Sequence, residues 1–346
     1  MKKNVVIATH AYVYGQSQAL NEYFQGKAEV LFIEHALFGN LLTWTLGAID
    51  TFYQVLKAGK KFDLYVGSNN LNALVGILLK KIGRVKKVIF HTPDSPPNRF
   101  ANKGLNNLYR WIDVFCVRRA DLVWNNNDSM VAEREKRGLS LRYRSKQIEV
   151  PMGAEPIKQR PFNEIEPYLI GFSGHLAQDK GLDLLLEAMS EVTKQIPQAR
   201  LLIIGSGPIE TRLKSQVEKL QLKNVEFTGC IENIKEVYQR LSRCAIAVAP
   251  YSKTSDIQWA DPAKVKVYFS VGLPVIVTKA HKIAYEVERE NCGVAINYDR
   301  QELIDAIVRL LKDANLLRTY RNNVTKLAHK YSYDNIFAQA LDVLEW

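Results

Sequence analysis

Short, continuous apolar runs alternate along the chain with longer segments of helical periodicity. VVIATH (5–10) precedes a helical pattern from Gln16 to Phe24, and EVLFI (29–33) leads to an amphipathic segment around 40–57. DLYVG (63–67) precedes NNLNALVGILLKK, KKVIFH (86–91) precedes a proline-rich loop and a helix over 104–119, and ADLVWN (120–125) precedes a helix over 128–137. Residues 151–167, PMGAEPIKQRPFNEIEP, hold four prolines and no clear period, and read as a linker. The alternation then restarts with YLIGFSG, a helix over 181–195, ARLLIIGSG, a helix over 208–220, VEFTG, a helix over 233–241 and AIAVAP. DPAKVKVYFSVG, PVIVT, GVAI and further helices complete the chain. Apolar strands alternating with helices predict parallel sheets covered on both faces. The expected architecture is two doubly wound α/β domains in tandem, 1–160 and 161–330, with a last helix over 331–346. Ligands of such sheets bind beyond the carboxyl ends of the strands. Two facing sheets would put a site in the cleft between them.

Bulk composition narrows the class. A length of 346 residues suits two ordinary domains, and 47% hydrophobic with 24% charged residues is typical of soluble globular chains. The N-terminal apolar run is broken by Thr9 and His10 and lacks a small-residue cleavage site, so it reads as a buried strand, not a signal peptide. The apolar region 36–49 is too short for a membrane span, which needs ~20 apolar residues. Cys116, Cys230, Cys244 and Cys292 form no C-x-x-C pair, which argues against zinc and a disulfide framework and for reduced thiols in a cytoplasmic protein. Residues 1–166 carry 24 Lys and Arg against 15 Asp and Glu, a net +9, whereas 167–346 carry 23 against 21, a net +2. That asymmetry suggests an anionic partner for the first half.

Four stretches carry candidate chemistry. YGQSQ (14–18) joins a strand to a helix through Gly15, where backbone could approach an anion or polar oxygen, though an ordinary βα turn reads the same way. GHLAQDKG (174–181) places His175 and Lys180 beside a helix N-terminus, a natural seat for a diphosphate. HTPDSPPNRF (91–100) carries His91, Asp94 and Arg99 on a proline-stiffened loop after a strand. In DPAKVKVYFSVG (261–272), Asp261 looks like a helix cap and Pro262 a first-turn residue. Lys264 and Lys266 then fall where the helix dipole disfavours cations, as if the helix faced an anion. Solvent-pointing lysines would read alike. IIGSGP suggests a dinucleotide fingerprint, but the third glycine position is Glu210, which would oppose a pyrophosphate. No two aspartates lie two apart, so no D-x-D pair is available to hold a metal-bound diphosphate.

The order and spacing of GFSGHLAQDKGLDLLLEA, LLIIGSGP, VEFTGCI and KVYFSVGLPVIVT resemble the second domain of the retaining GT-B glycosyltransferases of family 4 (glycosyl transferases group 1). ADLVWNNNDSM and VPMGAEP resemble the end of that family's first domain, and YSYDNIFAQALDVLEW (331–346) its last helix, which crosses back to the first. The resemblance implies a GT-B fold, with acceptor binding in a Rossmann-like 1–160 and nucleotide-sugar binding in a Rossmann-like 161–330. It implies transfer of a sugar from a nucleoside diphosphate sugar, UDP-linked by preference, to an acceptor hydroxyl with anomeric configuration kept and no metal cofactor. Gly15 and Gln16 would line the donor's phosphate side, together with Gly174, His175 and Lys180. His91 matches the F-H-T histidine near the reacting sugar. The backbone at Cys230 and Ile231 would meet the base. Pro262-Ala263-Lys264 matches a P-x-K subgroup, in which Asp261, Ala263 and Lys264 would face the donor. The two glutamates common in the family fall here at Trp259 and Val267.

As the glycosidic bond breaks, charge grows on the leaving phosphate; Lys180, a protonated His175 and helix N-termini would stabilise it. Asp94 and Arg99 would serve the acceptor side. The cluster Arg134, Lys136, Arg137, Arg142 and Arg144 would hold the protein on an anionic membrane surface, at ~1 kcal/mol per exposed cation. The apolar residues Leu37, Phe38, Leu41, Leu42, Trp44, Leu46 and Phe52 would dip into the interface or serve as core. A lipid-linked glycan acceptor at the inner face of the cell membrane fits these features. Rival readings are a basic nucleic-acid-binding module, which lacks a recognition element here, and a GT-B epimerase or phosphorylase.

Overall fold

The computed structural model describes residues 2–10, 15–35, 41–93, 99–252 and 261–346. Its elements follow the predicted alternation. The first half runs β1 (Lys3–His10), α1 (Gln16–Phe24), β2 (Ala28–His35), α2 (Leu41–Lys57), β3 (Phe62–Ser68), α3 (Asn70–Lys81), β4 (Val85–Thr92), α4 (Lys103–Arg119), β5 (Leu122–Asn125), α5 (Ser129–Lys136) and β6 (Gln147–Glu149). The second half runs β7 (Leu169–Ser173), α6 (Leu182–Gln195), β8 (Arg200–Ile204), α7 (Glu210–Lys219), β9 (Val225–Phe227), α8 (Ile234–Ser242), β10 (Ile246–Ala249), α9 (Ala263–Ser270), β11 (Val275–Thr278), α10 (Ile283–Arg289) and β12 (Gly293–Ile296). Three helices follow: α11 (Arg300–Lys312), α12 (Ala314–Lys330) and α13 (Tyr333–Asp342).

The chain divides into two compact units. The first comprises residues 1–152 and 333–346 with Asp261; the second comprises 153–258 and 262–332. Residues 153–160 thus group with the second unit and not with the first.

The first unit holds a six-stranded sheet ordered β2-β1-β3-β4-β5-β6, all pairs parallel. The chain leaves β1 towards β2 on one side and later returns to β3 on the other, so a crevice opens between the ends of β1 and β3. β1, β3 and β4 are apolar and buried along nearly their whole length because helices cover both faces. Their core joins Val6, Phe62, Tyr65, Val88 and Phe90 to Leu79 and Val117 from the covering helices. β6 carries no apolar run and only three residues, which is why the hydrophobic pattern does not announce it.

The second unit repeats the plan with order β12-β11-β10-β7-β8-β9, again parallel throughout. Its strand order reverses between β7 and β10. Ile170, Phe172, Ile203 and Val248 pack against Leu185, Met189, Leu303 and Ile307 in a single core. Fully burying such a side chain contributes roughly 1.5–3 kcal/mol, and this layer holds the strand ends in place.

Candidate functional site

At the crevice between β7 and β10, the loops leaving the strands pack backbone on backbone. The Gly174 amide donates to Ile204 O at 2.9 Å and the Gly205 amide to Gly229 O at 2.9 Å. Gly205 has φ +132°, and a Cβ there would sit 2.1 Å from Gly174 O. Only glycine permits that approach. Gly181, at φ +68°, closes the next turn; a Cβ there would lie 1.7 Å from Pro250 O at the end of β10. The loop carrying Asp179 and Lys180 is thereby pinned to the strand end, and α6 starts immediately after it.

Helix α9 meets this crevice from its N-terminus. The Tyr268 hydroxyl accepts a hydrogen bond from the Ser173 amide at 2.9 Å, which ties the helix to the end of β7. Burial pushes that phenol well above its ordinary range. One turn earlier, at i−4, Lys264 lies on the same face. Its Nζ is 4.0 Å from the Phe172 ring centroid and 5.2 Å from that of Tyr251. It is so close to Gly174 that a Cβ there would come within 3.1 Å of the ammonium. Lys264 Nζ is buried and has no hydrogen-bond partner among the described residues. Burial, and then the charge of Lys180, pull its pKa from 10.5 down to about 7, against the pull of Asp179. Lys180 Nζ pairs with Asp179 Oδ2 at 2.5 Å and lies 5.5 Å from the same Tyr251 ring. Two ammonium groups therefore flank one aromatic ring, at a strand-order reversal, beside the start of a helix. A buried cation without an acceptor is costly, and an anion of two or more charges would relieve both lysines at once.

The other residues expected on the donor side divide. His175 is exposed on the same loop, and Cys230 is exposed with Ile231 half-buried on the loop after β9, next to Gly229. Ala263 opens α9. Asp261 does not cap α9: Pro262 is the N-cap residue and no side chain caps it. The Asp261 carboxylate instead accepts the Met152 amide at 2.6 Å. Lys266 points inward and is 2% exposed, so neither lysine of this helix is a solvent-facing one. Tyr251 and Phe172 were not singled out by sequence. Tyr251 ends the AIAVAP strand as GHLAQDKG ends its own, and that shared position was the available signal.

In the first unit, the Gly15 amide donates to Gln18 Oε1 at 3.0 Å, closing the start of α1. The Gln16 side-chain Nε2 donates to Val150 O and Pro151 O at 3.0 and 3.1 Å. Both groups are thus engaged in holding the fold. His91 is the penultimate residue of β4, is 4% exposed, and places Nε2 3.1 Å from Asn126 Oδ1. Burial holds its imidazole down at about 4, against that hydrogen bond, so it is neutral at physiological pH. Arg99 lies over the Tyr109 ring at 5.1 Å. Tyr14, Leu37, Phe38, Asp94 and Trp259 lie outside the described residues.

The basic cluster requires a correction. Arg134 is 2% exposed. Its guanidinium donates to Asp113 Oδ2 and Oδ1 at 2.8 and 2.7 Å, to Asn125 Oδ1 at 2.6 Å, and to Gln147 Oε1 and Thr92 Oγ1 at 3.0 Å each. It joins α5 to α4, β4, β5 and β6, and no surface can reach it. Arg137 pairs with Glu133 and Arg144 with Glu135. Both arginines stay exposed despite those pairs, as do Lys136 and Arg142, so Arg134 alone leaves the predicted surface cluster. Phe52 packs against the core, whereas the outer face of α2 shows Leu42, Leu46, Ile49 and Tyr53, each more than half exposed. No helix among the described residues is long and apolar enough to cross a membrane, and no group of three or more potential metal-ligating His, Cys, Asp or Glu occurs among them.

Residues 167–313, a stretch within the second unit, match the family model described as glycosyl transferases group 1. An uncharacterised glycosyltransferase of Methanocaldococcus jannaschii is 23% identical over 265 residues, 69% of this chain and 61% of the relative. The poly(glycerol-phosphate) alpha-glucosyltransferase of Bacillus subtilis is 27% identical over 173 residues, 49% of this chain and 24% of the relative. The chain thus spans less than two thirds of the length of these curated relatives. Among solved structures, Anabaena HepE in complex with UDP superposes with a TM-score of 0.74 at 18% identity, covering 100% of both chains. The same protein has been solved with UDP-glucose. The two parallel six-stranded sheets with their helices are those of the GT-B fold.

Proposed function

We propose that the protein is a retaining glycosyltransferase that takes its sugar from a UDP-sugar and delivers it to the hydroxyl of a lipid-linked glycan acceptor at the cytoplasmic face of a membrane. The observation that carries this reading is the unpartnered Lys264 ammonium beside Lys180, inside a glycosyl transferases group 1 domain. In use, the donor diphosphate lies against both lysines and the start of α6. Asp179 now neutralises Lys180, and the diphosphate competes for that lysine. As the sugar departs, negative charge gathers on the β-phosphate, where two fixed cations in a desolvated site stabilise it strongly. That arrangement supports a metal-independent reaction in which the leaving phosphate takes the acceptor proton. UDP is preferred because a structural relative over the whole chain was solved with UDP and with UDP-glucose.

The membrane element of the proposal rests less on charge than on α2. A helix that is apolar on its outer face as well as its inner one suits an interfacial position. Leu46→Glu with Ile49→Glu should release the protein from vesicles in co-sedimentation. Unchanged sedimentation removes the membrane reading. For the reaction, release of UDP is measured across UDP-sugars with lipid-linked acceptors, with and without EDTA. No release from any of them defeats the proposal; loss of release with EDTA defeats metal independence.

A further inference from the structure

An ammonium group taken out of water needs a partner, and Lys264 has aromatic rings where an acceptor oxygen would be expected. Its Nζ lies 4.0 Å from the Phe172 ring centroid and 5.2 Å from that of Tyr251, both inside the ~6 Å range over which a ring face attracts a cation. The strand order puts the two rings there. β7 and β10 are neighbours in the sheet, Phe172 is the penultimate residue of β7, and Tyr251 follows the end of β10 by two residues. Tyr251 is held from several sides. Its amide donates to Ala249 O at 3.0 Å, and its carbonyl accepts the Thr278 hydroxyl at 2.7 Å from the end of β11. The His281 ring meets the Tyr251 ring nearly perpendicular, with centroids 4.7 Å apart. Phe172 and Tyr251 are both buried, so their placement does not wait on a ligand.

A ring and a carboxylate do different things for a buried lysine. A carboxylate accepts the N–H bonds and cancels the charge, whereas a ring face attracts the charge and leaves it intact. Among the described residues Lys264 has the rings and no acceptor. Lys180 has both kinds of partner, Asp179 Oδ2 at 2.5 Å and the same Tyr251 ring at 5.5 Å. An incoming diphosphate competes with Asp179 for Lys180, but it does not compete for the ring. We infer that Tyr251 is a positioning residue for anion capture: with Phe172 it favours the charged form of Lys264 with its N–H donors uncommitted, and it keeps Lys180 in place when a diphosphate displaces Asp179. The inference rests on the donor reading above and adds the residue that readies the two lysines. The other charged and titratable groups at this place are Asp179 from the loop before α6, His281 from the loop after β11, and Tyr268 on α9, whose hydroxyl is engaged with the Ser173 amide.

Grading the ring tests this on the intact protein without opening a void. Tyr251→Phe and its mono-, di- and trifluorinated Phe counterparts keep nearly the same shape, while each fluorine draws charge from the ring face and weakens its hold on a cation. UDP affinity, read by calorimetry, should fall stepwise from Tyr251→Phe to the trifluorinated variant by roughly 5- to 30-fold in all, with melting temperatures level. Over the same series the pH above which UDP affinity declines should move down by about one unit, because a weaker hold favours the neutral amine. In a Lys264→Met background that pH movement should vanish; movement that survives there belongs to His281 and overturns the inference. Affinity that stays level across the folded series also overturns it and leaves the donor site standing. A stepwise loss with an unmoved pH dependence does the same, since a change of shape alone would give that. A wild-type protein that binds no UDP defeats the donor reading and the inference together. Stepwise loss with the pH movement, in a protein that releases no UDP from any UDP-sugar, supports the positioning role and defeats transfer alone.

Discussion

Arg134 in the first unit and Lys264 in the second are both buried cations, and they are opposites. Arg134 has an acceptor for each of five hydrogen bonds, with one carboxylate gripping it through both oxygens. Lys264 has two aromatic rings, a second lysine nearby and no acceptor among the described residues. A cation whose hydrogen bonds are all made is part of the framework. One that the fold encloses and leaves unpaired is held ready for something else. Position along the chain does not separate these cases, since both residues sit in lysine- and arginine-bearing helices that suggest anionic partners.

The largest expected effect is on the satisfied cation. Arg134→Ala leaves Asp113 buried and unpaired, which should cost about 3–5 kcal/mol of stability. Urea unfolding would show it, and a loss below 1 kcal/mol would mean that the network is ornamental. Lys264→Met should do the reverse. It removes a buried, unpaired charge, so the melting temperature should hold or rise. UDP should bind more weakly by ~1.5–3 kcal/mol, roughly 10- to 100-fold. A destabilised variant with intact UDP affinity would make Lys264 a second framework cation and end the contrast.

Lys180→Ala should lower kcat/KM by at least about tenfold in a well-folded protein. Its partner Asp179 is already present in the free protein, so part of the lysine's interaction is spent before donor arrives. pH sharpens the contrast further. The Lys264 pKa is lowered to about 7 in the folded chain from 10.5. Between those values the unfolded chain holds a proton that the folded one does not. The cost of burying this lysine is therefore full below pH 7 and is relieved as pH rises towards 10.5. A bound diphosphate restores the charge. UDP affinity should be level below about pH 7 and fall above it by up to about tenfold per unit, with proton uptake detectable in buffers of different ionisation enthalpy. Lys264→Met should lack that dependence. The smallest effect is expected at the surface, where Lys136→Gln, Arg142→Gln and Arg144→Gln together should weaken binding to anionic vesicles only modestly and only at low salt.

Strand positions were legible because buried parallel strands are continuous apolar runs, and β1, β3, β4, β7 and β8 announce themselves that way. β6 did not, because it is three residues long and is held by its neighbour β5 and by Arg134. Lys264 and Lys266, both buried, were legible as charges in the wrong place on a helix. The part played by Asp261 was not, because its partner, the Met152 amide, is 109 residues away. Arg134 was misread for a related reason. Its spacing from Met130, one turn earlier and buried, put it on the inner face of α5. The acceptors that make burial tolerable come from four other elements, and no local pattern shows them.

Of the four cysteines, Cys116, Cys244 and Cys292 are buried and Cys230 alone is exposed. Burial raises all three enclosed thiols, to about 12 for Cys244 and Cys292 and higher for Cys116, so they offer almost no thiolate near neutrality. A maleimide dye should therefore attach once per molecule, on the loop next to Gly229, without any engineered site. The protein carries its own handle for an optical probe, two residues past Thr228, from which occupancy of the neighbouring crevice can be followed as a change in colour or lifetime on unmodified sequence.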